Sequence, residues 1–246
     1  MADSTINPFD NAEEIAKKSL VIFFIIDQSG SMEGTKIGIL NQVMEEVLAE
    51  IKNVGEADAD VKVAVLTFST GSTWMNTEPV SVENFQWKRI AAGGLTDLGA
   101  AFTKLSEKMS KKEFLATPSL SFAPVMFLMS DGYPTDDYKI GLEKLKSNKW
   151  YKAGIKFALA IGNDANEDIL AEFAGSREAV VKACNGEQLS QLIRLVTVTS
   201  SQIGSRSVAL TDEGDGGRSQ KQLAVEEQIQ DFIASGDFAQ ADEEGW

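Results

Sequence analysis

The order of apolar segments predicts an α/β fold, a sheet with helices packed on both faces. Three observations carry it. Leu20–Ile26 is a continuous apolar run of strand length, as expected of a central parallel strand buried on both sides. Lys36–Asn53 places apolar residues at 37, 40, 43, 44, 47, 48 and 51, the spacing of an amphipathic helix. Segments of these two kinds then alternate along the chain, which favours strands joined by helical crossovers.

Taken in order, Met1–Ser19 is a polar, acidic arm with a short helix expected around Asn11–Lys18. After the Lys36–Asn53 helix comes a strand at Val61–Phe68. Thr73–Val82, with Pro79 among threonine and tryptophan, reads as an edge strand or hairpin. The loop Gly93-Gly94-Leu95-Thr96-Asp97 leads into a helix that runs to about Met109. Pro124–Met129 is a buried strand, Ser130–Asp137 a loop, Tyr138–Ser147 a helix and Ile155–Ile161 a strand ended by Gly162. Glu167–Ala174 is helical, Ala179–Lys182 a short strand and Glu187–Ile203 a long last helix. The organisation expected is an arm over residues 1–19, a domain over 20–206 and an acidic tail over 207–246. That tail holds ten acidic and two basic residues, a net −8 of the chain's −14. Within it Gly214–Gly217 reads as a linker, and Leu223–Ala234 as a short amphipathic helix that docks on a partner or back on the domain, unless the tail is simply solvated. Thr211 is a candidate phosphorylation site.

Composition narrows the function. The chain has 246 residues, 43% hydrophobic and 24% charged, with 23 basic residues against 37 acidic. Such an acid excess disfavours nucleic acid and anionic lipid and suits divalent cations or basic partners. With no histidine, the Ser-His-Asp triad and histidine-ligated zinc are excluded. The single cysteine, Cys184, permits neither an internal disulfide nor a multi-cysteine cluster and reads as a structural thiol. No stretch approaches the roughly 20 apolar residues of a membrane span, and the first 19 residues lack an apolar export segment. The expected location is therefore cytoplasmic.

Three polar loops stand where strands end: Asp27-Gln28-Ser29-Gly30-Ser31-Met32, Gly94-Leu95-Thr96-Asp97 and Ser130-Asp131-Gly132-Tyr133-Pro134-Thr135-Asp136-Asp137. In open α/β sheets, ligands bind beyond the carboxyl ends of strands, at the point where strand order reverses. Asp27, Ser29, Ser31, Thr96 and Asp131 offer oxygen donors only, a set that selects Mg²⁺, Mn²⁺ or Ca²⁺, of which Mg²⁺ is the expected cofactor. Gly30 suits the tight turn that would bring Asp27 and both hydroxyls together. The plainer reading of these residues is turn and cap chemistry. The same applies to Asp97, Asp136 and Asp137 as helix caps, and to Trp74, Trp87 and Trp150 as packing residues.

The pattern D-x-S-G-S, then G-G-x-T-D, then S-D-G after a later strand resembles the metal-ion-dependent adhesion site of von Willebrand factor A domains. The resemblance spans roughly residues 20–203. It implies a doubly wound, mostly parallel sheet with one antiparallel edge strand. It also implies direct cation ligation by Ser29 and Ser31, ligation by Thr96 directly or through water, and water-mediated roles for Asp27 and Asp131. Neutral hydroxyls beside the cation leave it electrophilic, and an open position then accepts an Asp or Glu from a protein partner. Gln28, Met32, Gly94, Leu95 and Tyr133 would rim that site and touch the partner.

Phe127–Tyr138, reading F-L-M-S-D-G-Y-P-T-D-D-Y, and the Gly204-Ser205-Arg206-Ser207 ending look like the TerY type of this family. Those are bacterial cytoplasmic proteins associated with tellurite resistance and chemical stress, often encoded beside a protein kinase and a phosphatase. This implies a non-enzymatic scaffold, monomeric when isolated. The competing reading is a Mg²⁺-dependent phosphohydrolase with Asp27 as nucleophile and Asp131, Asp136 or Asp137 as metal ligands. It requires a second acid two residues after the nucleophile, where this chain has Ser29. A nucleotide-binding reading lacks a phosphate loop.

Overall fold

The computed structural model of the chain describes residues 18–54, 59–110, 112–115, 122–183, 191, 192, 195 and 220–234. The expected arm helix up to residue 17, Cys184, the Gly214–Gly217 linker and Thr211 lie outside the described residues. So does most of the Glu187–Ile203 helix, of which only 191, 192 and 195 are described, in helical conformation.

Seven strands form one mixed sheet: β1 (Lys18–Asp27), β2 (Ala59–Ser69), β3 (Gly71–Trp74), β4 (Val80–Ser81), β5 (Val125–Ser130), β6 (Ile155–Ile161) and β7 (Val180–Ala183). Their order is β3-β2-β1-β5-β6-β7, with β4 also pairing β2. Strands β2, β1, β5, β6 and β7 run parallel, while β3 and β4 run antiparallel to β2. The sheet is thus doubly wound and mostly parallel, as expected. Its antiparallel edge, expected over Thr73–Val82 as an edge strand or hairpin, consists of two short pieces, both paired with β2. Between them Asn76 replaces backbone pairing with its side-chain amide, accepting from Val65 N at 3.0 Å and donating to Val63 O at 3.0 Å.

Among the described residues the continuous helices are α1 (Thr35–Val54), α2 (Leu98–Lys108), α3 (Tyr138–Ser147), α4 (Lys149–Ala153), α5 (Glu167–Ala174) and α6 (Gln220–Ala234), plus a 3-10 turn at Gly30–Met32. Sequence periodicity misses α4 because five residues are too few to show one. Its start is set by Asn148, whose side chain accepts from Trp150 N and Tyr151 N.

Strand β1 is buried from Leu20 through Asp27, so alternate side chains feed both layers of the core. In one layer Phe24, Phe127 and Phe157 occupy matching register positions on β1, β5 and β6 and stack in a row, with centroids 5.6 and 6.2 Å apart. In the other, Phe23, Trp74 and Phe114 cluster at 4.9–6.3 Å. Trp74 and Trp150 thus serve packing, and Trp87 donates its indole N–H to Asn41 Oδ1 at 3.2 Å.

The α6 helix of the acidic tail lies back on the domain. Val225 and Ile229 are fully buried. Gln222 accepts from Lys156 N at 2.6 Å and donates to Lys156 O at 2.8 Å. The β6–β7 ladder begins only at Ala158, so the Gln222 amide satisfies backbone groups that lie before it. Lys156 itself is fully buried, its ammonium donating to Gly154 O at 3.1 Å and Tyr151 O at 3.3 Å. Burial pulls its pKa down to about 8, against a smaller upward pull from Glu226.

Candidate metal centre

Strand order reverses between β1 and β5, and the oxygen-rich loops converge beyond the carboxyl ends of those two strands. Each strand ends in the same local device. Asp27 Oδ1 accepts from Ser29 N at 2.8 Å, and Ser130 Oγ accepts from Gly132 N at 2.8 Å, so a side chain caps the backbone two residues on. The two devices are joined: Ser130 Oγ donates to Asp27 Oδ2 at 2.6 Å. Ser130 is therefore a site residue, and it belongs to β5 rather than to the loop where the sequence reading put it, pairing with Ala160 on β6. The S-D-G motif includes Ser130, but its bond to Asp27 is not legible there, because only the β1–β5 register brings the two side by side.

The loops are tied to one another by main-chain bonds. Gly30 N donates to Gly94 O at 3.1 Å and Gly93 N to Gln28 O at 2.9 Å. Gly30 has no left-handed backbone. Its lack of a side chain serves the loop contact instead, since a Cβ there would lie 3.3 Å from Gly94 O. Thr96 N donates to Thr135 Oγ1 and Thr135 N to Thr96 O, both at 2.9 Å. Asn166 N donates to Asp131 O at 2.7 Å, which brings in the loop after β6.

Asp27 is 0% exposed and Asp131 1%. Burial raises the Asp27 carboxyl pKa above its ordinary value. The bonds from Ser130 and Ser29 work against that rise, and the neighbouring Asp131 adds to it. Ser29 is buried, Ser31 is exposed, and their hydroxyl oxygens lie 3.0 Å apart. Thr96 is buried at the head of α2. Asp131 Oδ1 is buried without a hydrogen-bond partner, while Oδ2 takes the Lys36 ammonium at 3.4 Å. Lys36 also reaches Asp164 Oδ1 at 3.3 Å. The Asp164 carboxyl is held below its ordinary pKa, first by a hydrogen bond from its own backbone and then by Lys36. The sequence marks neither Lys36 nor Asp164 as a site residue, since they lie 95 and 33 positions from Asp131 and nothing local pairs them with it.

These residues fit a hard divalent cation. All five candidate side chains supply oxygen, two hydroxyls are already in contact, and a buried carboxylate oxygen has an unfilled valence. Among the described residues no three His, Cys, Asp or Glu side chains cluster as metal ligands, so any cation here depends on hydroxyls.

The rim differs in part from expectation. Leu95 and Tyr133 are 54% and 49% exposed, Gly94 is exposed and Gln28 half-buried. Met32 is a correction: the 3-10 turn folds it inward, it is fully buried in the core, and it cannot meet a partner. Two of the aspartates flanking the site are tied to backbone groups. Asp136 accepts from Gly99 N and Ala100 N, each at 3.0 Å, capping α2 from a distant loop. Asp97 accepts from Gly71 N at 2.7 Å, tying the Thr96 loop to the β2–β3 hairpin. Asp137 occupies the N-cap position of α3 without a capping bond. No helix among the described residues is long and apolar enough to cross a membrane.

Comparison with known proteins agrees with this architecture. The sequence profile of the von Willebrand factor type A domain matches residues 22–195. The human inter-alpha-trypsin inhibitor heavy chain H2 is 25% identical over 192 residues, 73% of this chain, and the chain spans only 19% of that relative's length. Solved structures share the fold, the following two among them. The ArnB paralog VWA2 from Sulfolobus acidocaldarius is 22% identical with a TM-score of 0.54, over 73% of this chain and 45% of that one. Proximal thread matrix protein 1 from the mussel byssus, solved with a zinc-occupied MIDAS motif, is 16% identical with a TM-score of 0.53, over 76% and 46%. By sequence and by fold, this chain belongs to the von Willebrand factor type A domain family.

Proposed function

We propose that this chain is a metal-dependent protein-binding module whose site is Asp27, Ser29, Ser31, Thr96 and Asp131. Domains of this family are in general protein-interaction modules, and some relatives hold a metal in the corresponding motif. The observation that carries the reading is the buried, unpartnered Asp131 Oδ1 beside the contacting Ser29 and Ser31 hydroxyls. Ser29, Ser31 and Thr96 ligate the cation, and Asp27 and Asp131 hold its waters and hydroxyl ligands in place. The cation, Mg²⁺ in the cell, supplies a Lewis-acidic position that accepts a carboxylate. Exposed Leu95 and Tyr133 fit a partner that presents an Asp or Glu flanked by apolar side chains.

A cytoplasmic, non-enzymatic scaffold of the TerY type, in a tellurite or stress response with a kinase and phosphatase, remains our assignment of context. It rests on the Phe127–Tyr138 segment and the Gly204-Ser205-Arg206-Ser207 ending. The phosphohydrolase alternative is disfavoured by the lack of an acid at position 29. The Asp27 oxygens are also already held by Ser29 N and Ser130 Oγ in a fully buried position.

A pull-down from source cytoplasm tests the reading with Mg²⁺, with EDTA, and with Asp27→Ala in Mg²⁺. A partner retained with Mg²⁺ and lost in both controls supports metal-bridged recognition. The same partner in all three lanes refutes it.

A further inference from the structure

Lys36 lies on the first turn of α1, and its side chain is 17% exposed. Its ammonium lies between Asp131 Oδ2 at 3.4 Å and Asp164 Oδ1 at 3.3 Å. The position is built rather than incidental. Gly162 follows β6 with φ +92°, and a Cβ there would lie 2.6 Å from Lys36 Cε, 3.0 Å from its Nζ and 2.9 Å from Asp164 Oδ1. The loop thus leaves a slot of lysine shape, and only glycine takes that backbone without strain while keeping the slot open. Asp131 is 1% exposed, so the cation it meets is little screened by water. Asp164 is 75% exposed, and solvent screens much of its charge.

We propose that Lys36 sets the net charge of the metal site, weakening cation binding and strengthening capture of the partner's carboxylate. The proposal rests on reading the oxygen cluster as a cation site. With Asp27 and Asp131 alone, a divalent cation would bring the site to neutrality, and an incoming anion would gain little. Counting the buried carboxylates only, Lys36 leaves one positive charge once the cation is present, and the solvent-screened Asp164 offsets part of it. A charge a few ångströms away repels the metal and attracts the carboxylate, and in a partly dry site each effect survives screening. Asp164 tempers Lys36 from the solvent side. A lysine that only braced the structure would, when removed, loosen both ligands together. A charge-setting lysine moves them in opposite directions.

The test uses the full chain as wild type, Lys36→Met, Lys36→Arg and Asp164→Asn, with Asp27→Ala as the site control. Mn²⁺ affinity is read by calorimetry. Acetate, as the carboxylate probe, is read through displacement of water from bound Mn²⁺ by proton relaxation. Unfolding in EDTA reports the metal-free protein. Lys36→Met is expected to bind Mn²⁺ about five- to tenfold tighter and acetate weaker by a similar factor. Its metal-free form should melt at lower temperature. Lys36→Arg should resemble wild type. Asp164→Asn is a surface change that leaves the fold intact, and it should weaken Mn²⁺ about twofold, a shift of opposite sign. Lys36→Met binding Mn²⁺ no tighter than wild type overturns the proposal. Should Lys36→Met fail to fold, unchanged or tighter Mn²⁺ binding by Asp164→Asn overturns it. Wild type binding no better than Asp27→Ala overturns the metal-site reading itself.

Discussion

Helices α2 and α3 cross at two glycines, and the crossing positions the site. A Cβ on Gly141 would lie 2.2 Å from Gly99 O and 2.9 Å from Gly99 Cα. A Cβ on Gly99 would meet Tyr138 Cα at 2.8 Å. Gly141→Ala must therefore part the helices by about 1 Å to restore an ordinary carbon–oxygen contact. In an open helix, glycine to alanine stabilises by roughly 0.5–1 kcal/mol. Overpacking a buried contact costs about 1–3 kcal/mol, and a 2.2 Å clash with backbone falls in the upper part of that range, so the net change is a loss of about 1–2 kcal/mol. For a chain of this length that lowers Tm by roughly 2–8 °C. Gly38 on α1 is the control, with nothing within 4 Å of its Cβ position, and Gly38→Ala should raise Tm slightly. The effect should reach the site. Thr96 precedes α2 and Asp131–Asp137 precede α3, and the reciprocal Thr96–Thr135 bonds span the two. Mn²⁺ affinity should fall in Gly141→Ala and hold in Gly38→Ala. Calorimetric unfolding and Mn²⁺ titration measure both quantities. A Tm for Gly141→Ala at or above wild type would refute the argument that these helices are held at contact distance.

Two further outcomes are expected. Ser130→Ala removes the donor to Asp27 Oδ2 and the acceptor for Gly132 N, both buried, and should cost about 2–3 kcal/mol in denaturant unfolding; wild-type stability would show Ser130 to be dispensable. Lys156, with a folded pKa near 8 against an ordinary 10.5, binds its proton more weakly in the native state than when unfolded. Its penalty is full below pH 8 and shrinks as pH rises towards 10.5, so this residue contributes a rise in stability of up to about 3 kcal/mol across that window. Lys156→Met should flatten the rise in a pH series of unfolding curves, and an unchanged slope would refute the assignment.

The sequence by itself determined the alternation of strands and helices and most element boundaries, and it singled out the five oxygen-bearing residues of the candidate site. It could do so because those signals are local: an apolar run at Leu20–Ile26, a period at Lys36–Asn53, short motifs at Asp27–Ser31 and Ser130–Gly132. Tertiary structure alone decided which residues complete the site. Ser130 reaches Asp27 through strand register, and Lys36 reaches Asp131 from a helix 95 positions away. Met32 looked like a rim residue because its neighbours are loop residues, yet the 3-10 turn delivers it to the core. The same distinction explains the tail. Its helix was legible from apolar spacing, but its seat on β6 depends on backbone groups before the β7 ladder that Gln222 satisfies. Local periodicity records what a segment can bury. Which partner it buries against is settled only when every backbone donor and every buried charge must find a counterpart at once.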